Sequence, residues 1–223
     1  MTKKLFIEAS LKFSLGMICV GLLIFAPAGT LRFWNGWLLM CVLFVPMFFA
    51  GLVLMAKNPE LLQKRLNAKE KQKAQDTVVK LSGLMFIVGF VAAGFSYRFD
   101  FGMLPTGISI GAAAVFLLAY LLFAEVLREN TYLSRTIEVQ ENQTVVDTGL
   151  YGIVRHPMYS ATLLLFLTMP LILGSLFSFF VFLAYPFLIA ARIKHEERLL
   201  EKELDGYRAY QKKVRFKLIP FVW

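Results

Sequence analysis

Apolar residues fill four long runs in the first 126 residues of this chain. The runs extend over Phe13–Leu31, Gly36–Ala56, Val78–Tyr97 and Leu104–Val126. Each is close to the roughly 20 residues that an α-helix needs to cross a hydrocarbon core of ~30 Å. The pattern therefore predicts four transmembrane helices, with most of the charged residues in the segments between them.

A fifth apolar run, from Met158 to Arg192, is interrupted near its middle. Its length of about 34 residues is too great for one straight helix and slightly too small for two full spans. Pro170, Gly174 and Ser175 lie at the interruption, and proline and glycine are typical of turns. We expect a helical hairpin whose limbs of roughly 16–17 residues each reach about 25 Å.

Apolar and charged residues alternate with helical spacing after this hairpin. Over His195–Val214 the apolar positions recur every three to four residues, at Leu199, Leu200, Leu204, Tyr207 and Tyr210. Gly206 interrupts the pattern, and Pro220 ends it. The segment predicts a cytoplasmic amphipathic helix. The predicted fold is thus an all-α integral membrane protein with four transmembrane helices, a C-terminal helical hairpin that gives five to six spans, and this C-terminal helix.

Composition supports a membrane protein and a single domain. Hydrophobic residues make up 58% of the chain, whereas soluble domains have about 45–50%. No internal repeat, low-complexity tract or linker divides the sequence, so we expect residues 1–223 to form one domain. Cys19 and Cys41 both lie inside predicted spans without the spacing of metal ligands, so we expect two small buried packing residues and no metal site.

Positive charge is distributed unequally across the predicted membrane. Of the 24 lysine and arginine residues, 22 lie on the side of both termini, and the other side receives Arg32 and Arg98. By the positive-inside rule the basic side, with both termini, faces the cytoplasm. We expect the protein to lie in a plasma membrane, an inner membrane or an endomembrane. The net charge of +9 flanks apolar spans and is mixed with acidic residues, so it favours attraction to anionic lipid headgroups over nucleic acid.

Two polar clusters flank the predicted hairpin. They consist of Arg155, His156, Pro157 and Tyr159 before it and His195, Glu196 and Glu197 after it. Because a hairpin returns to the side on which it begins, we expect the clusters to meet on the cytoplasmic side. Ionisable groups near the hydrocarbon boundary are costly unless they are paired or used, so their convergence favours a functional site over a merely salt-bridged surface.

Two further cytoplasmic segments are long enough to contribute. The connection Arg128–Val154 leads directly into the first cluster, and we expect it to form a wall of the site, because loops of this length are usually functional or disordered. The basic segment Lys57–Gln75, which includes Lys64, Arg65, Lys69, Lys71 and Lys73, is interpreted as a solvated helix on the lipid headgroups, without a catalytic role.

An extended motif spans both clusters. It reads Gly149-Leu150-Tyr151-Gly152-Ile153-Val154-Arg155-His156-Pro157-Met158-Tyr159, then an apolar hairpin, Glu196-Glu197, Tyr207, Tyr210 and Lys217-Leu218-Ile219-Pro220. This pattern closely resembles the isoprenylcysteine carboxyl methyltransferase family and the related membrane phospholipid methyltransferases, from about Asn130 to Pro220. Three positions depart from the family: Leu150 replaces a common proline, Ala161 a frequent glycine and Lys217 the usual arginine. Lysine lacks the planar fork of arginine, so an anion contact at Lys217 would be weaker or aimed differently.

The resemblance implies an S-adenosylmethionine-dependent methyltransferase. It implies a cofactor-binding part at about residues 128–220 and a lipid or prenylated acceptor that reaches the site from the bilayer. The residues expected to contact the cofactor are Tyr151, His156, Pro157, Tyr159, His195, Glu196 and Glu197. Arg155 and Glu197 are expected to be catalytic, with Arg155 holding an anionic group of the cofactor or of the acceptor.

The residues leave the acceptor open. Carboxyl O-methylation of isoprenylcysteine type needs no general base, because a carboxylate with a pKa of about 3.3–3.7 is ionised at neutral pH. N-methylation of a phospholipid or other small lipid requires a base, and Glu196, Glu197 or a histidine would have to serve. The sequence is also compatible with a NADPH-dependent membrane lipid reductase and with a non-enzymatic membrane protein.

Overall fold

The computed structural model describes residues 3–66, 73–133 and 139–223, without the side chains of residues 73–75. Within these ranges the chain is helical and has no β-strand. The helices are α1 (Lys3–Ala28), α2 (Trp34–Lys57), α3 (Pro59–Leu66), α4 (Lys73–Arg98), α5 (Thr106–Glu129), α6 (Pro157–Ile172), α7 (Leu176–Phe182), α8 (Tyr185–Glu203) and α9 (Tyr207–Lys213), with one 3-10 turn, η1, at Gly149–Gly152.

Five helical stretches of the described chain are long and apolar enough to cross a membrane. They are α1, α2, residues Asp76–Arg98 of α4, α5, and the stretch Leu176–Glu203 that contains α7 and α8. The apolar helix α6 is shorter, as expected for one limb of a hairpin. The predicted all-α integral membrane fold is therefore confirmed.

The hairpin reverses direction at Leu173–Ser175. Gly174 has φ +68°, in the left-handed region that glycine adopts most readily. The hydroxyl of Ser175 then caps α7 by accepting a hydrogen bond from the Ser178 N–H at 3.1 Å. The expected position of the turn at Gly174 and Ser175 is confirmed. Pro170 was expected to contribute to the break, but it lies within α6.

The second limb differs from the predicted arrangement. It is interrupted at Leu183 and Ala184, and α8 then continues without a break through the first part of the predicted amphipathic helix. The segment His195–Val214 is helical and interrupted at Gly206 as expected, but its first part is the continuation of α8 and not a helix of its own. Only its last part is separate, as α9, because the chain turns at Gly206 with φ +83°.

Buried polar groups fasten the hairpin turn to the rest of the bundle. The side-chain amide of Asn35 donates to the Ser109 hydroxyl and to the Ile172 carbonyl, both at 2.9 Å. The hydroxyls of Ser96 and Ser175 lie 2.8 Å apart. An apolar environment offers no water to replace such bonds, so they fix the depth of the turn.

The two cysteines lie on the outside of the bundle. Both Cys19 and Cys41 are exposed in the isolated chain, so the expectation that they are buried packing residues is wrong. Many large apolar side chains of the same helices are exposed as well, including Ile18, Leu22 and Val45. In a membrane protein the apolar surface faces lipid, so hydrophobic character alone did not distinguish a core position from a lipid-facing one.

The close packing of α4 on α7 can be tested by substitution at a glycine of α4. A Cβ at Gly89 would overlap the ring of Phe182, which is 0% exposed, whereas a Cβ at Gly83 on the same helix meets no atom within 4 Å. We expect Gly89→Ala to cost about 1–3 kcal/mol through overpacking. Gly83→Ala is the matched control and should be neutral or slightly stabilising, because alanine favours helix. Thermal unfolding in detergent measures both, and equal melting temperatures would contradict this packing.

Candidate active site

The polar entrance to α6 is held by the chain segment that follows α9. The Arg155 N–H donates to the Phe216 carbonyl and the His156 N–H to the Lys217 carbonyl, each at 2.9 Å. The Ser160 hydroxyl donates to the Leu218 carbonyl at 2.6 Å. Pro157 begins α6, where its missing N–H has no cost. The Arg-His-Pro sequence is therefore held in place by backbone hydrogen bonds from Arg155 and His156, in addition to the contacts of their side chains.

A buried ion cluster joins this entrance to α8. One carboxylate oxygen of Glu197, Oε1, accepts from Arg155 Nε at 2.8 Å and lies 3.2 Å from His156 Nε2. The other, Oε2, lies 2.8 Å from Lys217 Nζ. The side chains of Arg155 and Glu197 are each only 8% exposed. Burial of a carboxylate is tolerated here because both of its oxygens have charged or polar partners.

Arg155 also binds the backbone beyond α9. Its Nη1 donates to the carbonyls of Val214 at 2.9 Å and Arg215 at 3.0 Å. With the Nε bond to Glu197, three of its five N–H donors are engaged within the protein. One side chain thus connects the start of α6, the end of α8 and the segment after α9.

A cleft lies beside the ion cluster and encloses about 830 Å³, including the part that opens to solvent. The connection after α5 forms one wall through residues that include Asn130, Gln143 and Thr144, as expected for the segment Arg128–Val154. Residues 134–138 of that segment lie outside the described residues. The rest of the lining comes from α8, α9, η1 and the start of α6.

Glu196 is the carboxylate that faces the cleft. Its Oε2 accepts a hydrogen bond from the Tyr159 hydroxyl at 2.5 Å, and Arg192 Nε donates to the same hydroxyl at 3.0 Å. Glu197, the next residue, is rotated by about 100° on the helix, into the ion cluster. Because neighbouring helical positions diverge in this way, only one member of the pair can face the cleft fully, and in the structure that member is Glu196.

Three tyrosines line the cleft on the side of α9. The Tyr210 hydroxyl donates to the Tyr151 carbonyl at 2.7 Å, which ties α9 to η1. The Tyr207 hydroxyl is buried and has no hydrogen-bond partner among the described residues. Burial raises the pKa of Tyr151, Tyr207 and Tyr210 above the usual value, so all three are neutral at physiological pH and can donate a hydrogen bond.

A carboxylate at the end of α5 positions η1. Glu129 accepts a hydrogen bond from the Leu150 N–H, with its oxygens at 2.9 and 3.2 Å. Gly149 has φ +53°, and a Cβ at this position would overlap the Glu129 carboxylate. The sequence interpretation missed Glu129. The sequence did contain a clue to its role. An acidic side chain in the last turn of a helix interacts unfavourably with the helix dipole, so its presence there suggests a partner outside the helix.

The structure brings most of the sequence-predicted residues together. Arg155, Tyr151, His156, Tyr159 and Glu196 line the cleft. The residues that do not line it are Pro157, His195 and Glu197. Pro157 begins α6, His195 is half-buried on α8, and Glu197 lies in the ion cluster.

The ion cluster also accounts for Lys217. The sequence interpretation noted it only as a departure from arginine with a weakened anion contact, but its anion in the structure is Glu197.

In the described part of the chain, no group of three or more His, Cys, Asp or Glu side chains is placed to hold a metal ion.

The ion cluster yields a stability prediction. Glu197→Gln removes the charge that compensates Arg155 and Lys217, and breaking a buried pair in this way typically costs about 3–5 kcal/mol. Glu203→Gln, an exposed substitution on the same helix, is the control and should have little effect. Thermal unfolding in detergent compares the variants. A Glu197→Gln protein as stable as the control would show that the cluster does not hold the site together.

Comparison with known families agrees with this geometry. The model of the Isoprenylcysteine carboxyl methyltransferase (ICMT) family matches residues 110–202, which extend from α5 through nearly all of α8. No curated protein matches the chain. The matched range contains η1, the Arg-His-Pro sequence, the whole hairpin and the Glu196-Glu197 pair. The family resemblance predicted from the sequence is therefore confirmed: over residues 110–202 this chain matches the isoprenylcysteine carboxyl methyltransferase family.

Proposed function

We propose that this protein is an S-adenosylmethionine-dependent membrane methyltransferase and that the cleft binds the methyl donor. The family match supports a membrane methyltransferase of the isoprenylcysteine type. The observation that carries the assignment of the site is that one cleft is lined both by Glu196 and by Tyr207, whose buried hydroxyl has no hydrogen-bond partner among the described residues. A buried hydroxyl without a partner is costly, and a ligand in the cleft would satisfy it.

The residues of the cleft fit the chemical groups of this cofactor. Glu196 suits an ammonium group or the hydroxyls of a ribose. The rings of Tyr151 and Tyr207 suit a planar base or a sulfonium cation, both of which bind aromatic faces. Arg155 lines the cleft with two N–H donors beyond the three engaged in the protein, and these suit a carboxylate. His156 adds a further polar edge.

These placements modify the roles expected from the sequence. We propose that Arg155 contacts an anionic group, as expected, and that Glu197 acts by positioning Arg155 and His156. Direct contact with the cofactor then falls to Glu196, Tyr151, His156, Tyr159 and Tyr207. Pro157 contributes by fixing the start of α6, and His195 has no proposed contact.

When bound, the cofactor supplies an electrophilic methyl group, which forms a bond to an acceptor oxygen or nitrogen as the sulfur–methyl bond breaks. For such a displacement the protein contributes mainly orientation and a favourable electrostatic environment. The buried cluster around Glu197 keeps the Arg-His-Pro segment rigid, and the neutral tyrosines provide donors without adding charge.

The acceptor that we propose first is the carboxylate of a prenylated cysteine. It is ionised at neutral pH, so the cleft needs no group to remove a proton. N-methylation of a lipid amine is the second candidate, and the observation in its favour is that the Glu196 carboxylate lines the cleft, where it can accept a proton.

We also propose that the cleft and both termini face the cytoplasm. Arg98 lies at the opposite end of the bundle, with its guanidinium 3.6 Å from a Cβ placed at Gly29, and Arg32 belongs to the same connection as Gly29. In the sequence, the 22 other cations lie in the segments that the predicted topology puts on the side of both termini. This asymmetry supports the orientation given by the positive-inside rule, and in that orientation we expect the basic surface to lie beside anionic lipids.

Binding of the methyl donor tests the proposed function directly. We expect detergent-purified protein to bind S-adenosylmethionine saturably in calorimetry and Glu196→Gln to weaken binding about tenfold, the typical effect of losing a hydrogen bond to a charged group. Glu203→Gln should bind like the wild type. Binding of NADPH in place of S-adenosylmethionine by folded protein would favour a reductase, and binding of neither would favour a non-enzymatic protein.

Tyr207→Phe separates a ligand contact from a structural contact. The hydroxyl has no partner in the described protein, so its removal should leave the melting temperature of the free protein unchanged or slightly raised. The affinity for S-adenosylmethionine should fall about three- to tenfold. Tyr210→Phe is the contrasting variant, because it removes a bond to the Tyr151 carbonyl and should lower stability. Unchanged affinity in Tyr207→Phe would exclude this hydroxyl from the site.

A further inference from the structure

The chain after α9 ends in a turn, residues 217–223, that is built onto the start of α6. Three successive N–H groups, those of residues 217–219, donate to the backbone oxygen of Trp223 and close the turn. The hydroxyl of Ser160, in the first turn of α6, donates to the Leu218 carbonyl at 2.6 Å. Leu218 is buried and belongs to the apolar core of the bundle. The 217–223 turn therefore has a defined place beside the first turn of α6.

The first turn of α6 lies at the membrane boundary. At the other end of α6, the Ser109 hydroxyl of α5 donates to the Leu171 carbonyl at 3.1 Å, and the two helices run antiparallel from there. At 1.5 Å per residue α6 is only about 24 Å long, less than a hydrocarbon core of ~30 Å. Its start is therefore level with about residue 123 of α5, inside the apolar part of that span.

The outer side of the 217–223 turn is apolar. Phe221 and Val222 are 90% and 75% exposed, and Ile219 and Trp223 are exposed as well. Residues 218–223 include no charged side chain. Large apolar groups at the level of a membrane boundary are stabilised by contact with lipid, and tryptophan in particular is typical of the membrane interface.

The basic segment Lys57–Gln75, which the sequence placed on the headgroups as a solvated helix, differs from this turn. Its helix α3 contacts the protein: Lys64 Nζ donates to Gln140 Oε1 at 2.7 Å, and Arg65 Nη1 lies 3.8 Å from the Met158 sulfur. Both cations are half-buried, so the interpretation of this part as merely solvated is corrected. Lys69 and Lys71 lie outside the described residues, as does the side chain of Lys73.

We propose that the 217–223 turn is an interfacial membrane anchor. Its side chains Ile219, Phe221, Val222 and Trp223 lie among the headgroups and upper acyl chains of the leaflet on the side of the cleft. The partner is the lipid bilayer, because the turn lies at the membrane boundary and presents an apolar, uncharged side. The inference does not depend on the methyltransferase activity.

The anchor also restrains the candidate site. The Lys217 carbonyl accepts the His156 N–H, and the Lys217 ammonium lies 2.8 Å from Glu197 Oε2. The same ammonium is 5.4 Å from the centre of the Trp223 ring. One side of the turn therefore belongs to the ion cluster while the other meets lipid, so contact with the bilayer holds the cluster in place from outside.

The fluorescence of Trp223 tests the anchor. The variant Trp34→Phe/Trp37→Phe leaves Trp223 as the only tryptophan of the chain. The protein is reconstituted in bilayers of phosphatidylcholine and phosphatidylglycerol whose acyl chains carry bromine either close to the glycerol or near the terminal methyl group. We expect Trp223 to lose most of its emission to chains brominated close to the glycerol, less to the others, and little to aqueous iodide.

The control moves the tryptophan into water. Lys202→Trp, combined with replacement of all three native tryptophans by phenylalanine, puts the probe at an exposed position in the last turn of α8. It should be quenched by iodide and not by brominated lipid. The inference would be overturned if Trp223 behaved like this control. Protection of Trp223 from both quenchers would show that a protein surface covers the turn and would overturn the inference equally.

Variants assign the lipid contact to the apolar side chains of the turn. In the same single-tryptophan background, Phe221→Asn/Val222→Ser should shift the Trp223 emission to longer wavelength and increase its quenching by iodide. Asparagine tolerates the φ of +65° at position 221. The matched variant Phe221→Leu/Val222→Ile keeps the apolar surface and should keep the quenching by lipid.

The polar variant should also separate anchoring from a role in folding. Phe221 and Val222 are largely exposed within the chain, so Phe221→Asn/Val222→Ser should melt close to the wild type. Quenching by brominated lipid that is unchanged in this folded variant would contradict the assignment of the anchor to these side chains.

Discussion

The Glu197 carboxylate is the constraint on which the arrangement of the site depends. It is buried, and its two oxygens are shared among Arg155, His156 and Lys217. These groups come from the start of α6, the end of α8 and the segment after α9, which are remote in sequence. A buried charge is stable only with its partners in place, so the three segments adopt one relative position. That position turns Glu196 towards the cleft.

The hairpin is fixed at both of its ends by different means. At the turn, Asn35, Ser96 and Ser109 supply neutral hydrogen bonds in an apolar environment. At the open end, ionic contacts join α6 to α8 where the chain meets the polar surroundings. Because both ends are fixed, α6 and α8 keep a constant offset along the bundle, and the residues that face the cleft keep theirs. The methyltransferase proposal requires such rigidity, because displacement at a methyl carbon is sensitive to orientation.

Sequence patterns predicted where the helices and the hairpin turn lie better than they predicted which side chains of these helices are buried and which face lipid. Hydropathy identifies spans because the length of a helix must match the membrane. It does not reveal which apolar faces meet lipid, so the cysteines were assigned wrongly. The turn at Gly174 was predictable because its backbone requires glycine, whereas Pro170 is compatible with a helix near its end and gave a false signal. Helical spacing indicated a helix after the apolar run, but that spacing does not show whether the helix is a new one or the continuation of α8.

The sequence predicted which residues of the candidate site come together, but it did not predict which of them form the ion cluster and which face the cleft. Two adjacent glutamates are equivalent in sequence, and only the position of Arg155 relative to α8 decides that Glu197 is paired and Glu196 faces the cleft. The contacts of α3 were not predictable, because Lys64 and Arg65 resemble any basic surface residues until their contacts with Gln140 and Met158 are known.

The most direct measurement is an experimental structure of the full chain in lipid with S-adenosylhomocysteine bound, the product that the proposed reaction leaves behind. We expect density for the nucleoside in the cleft within contact of Glu196 and the Tyr207 hydroxyl, with the Glu197 cluster intact. Density for the nucleoside at another place in the bundle, or a cleft filled by lipid at saturating product, would contradict this expectation.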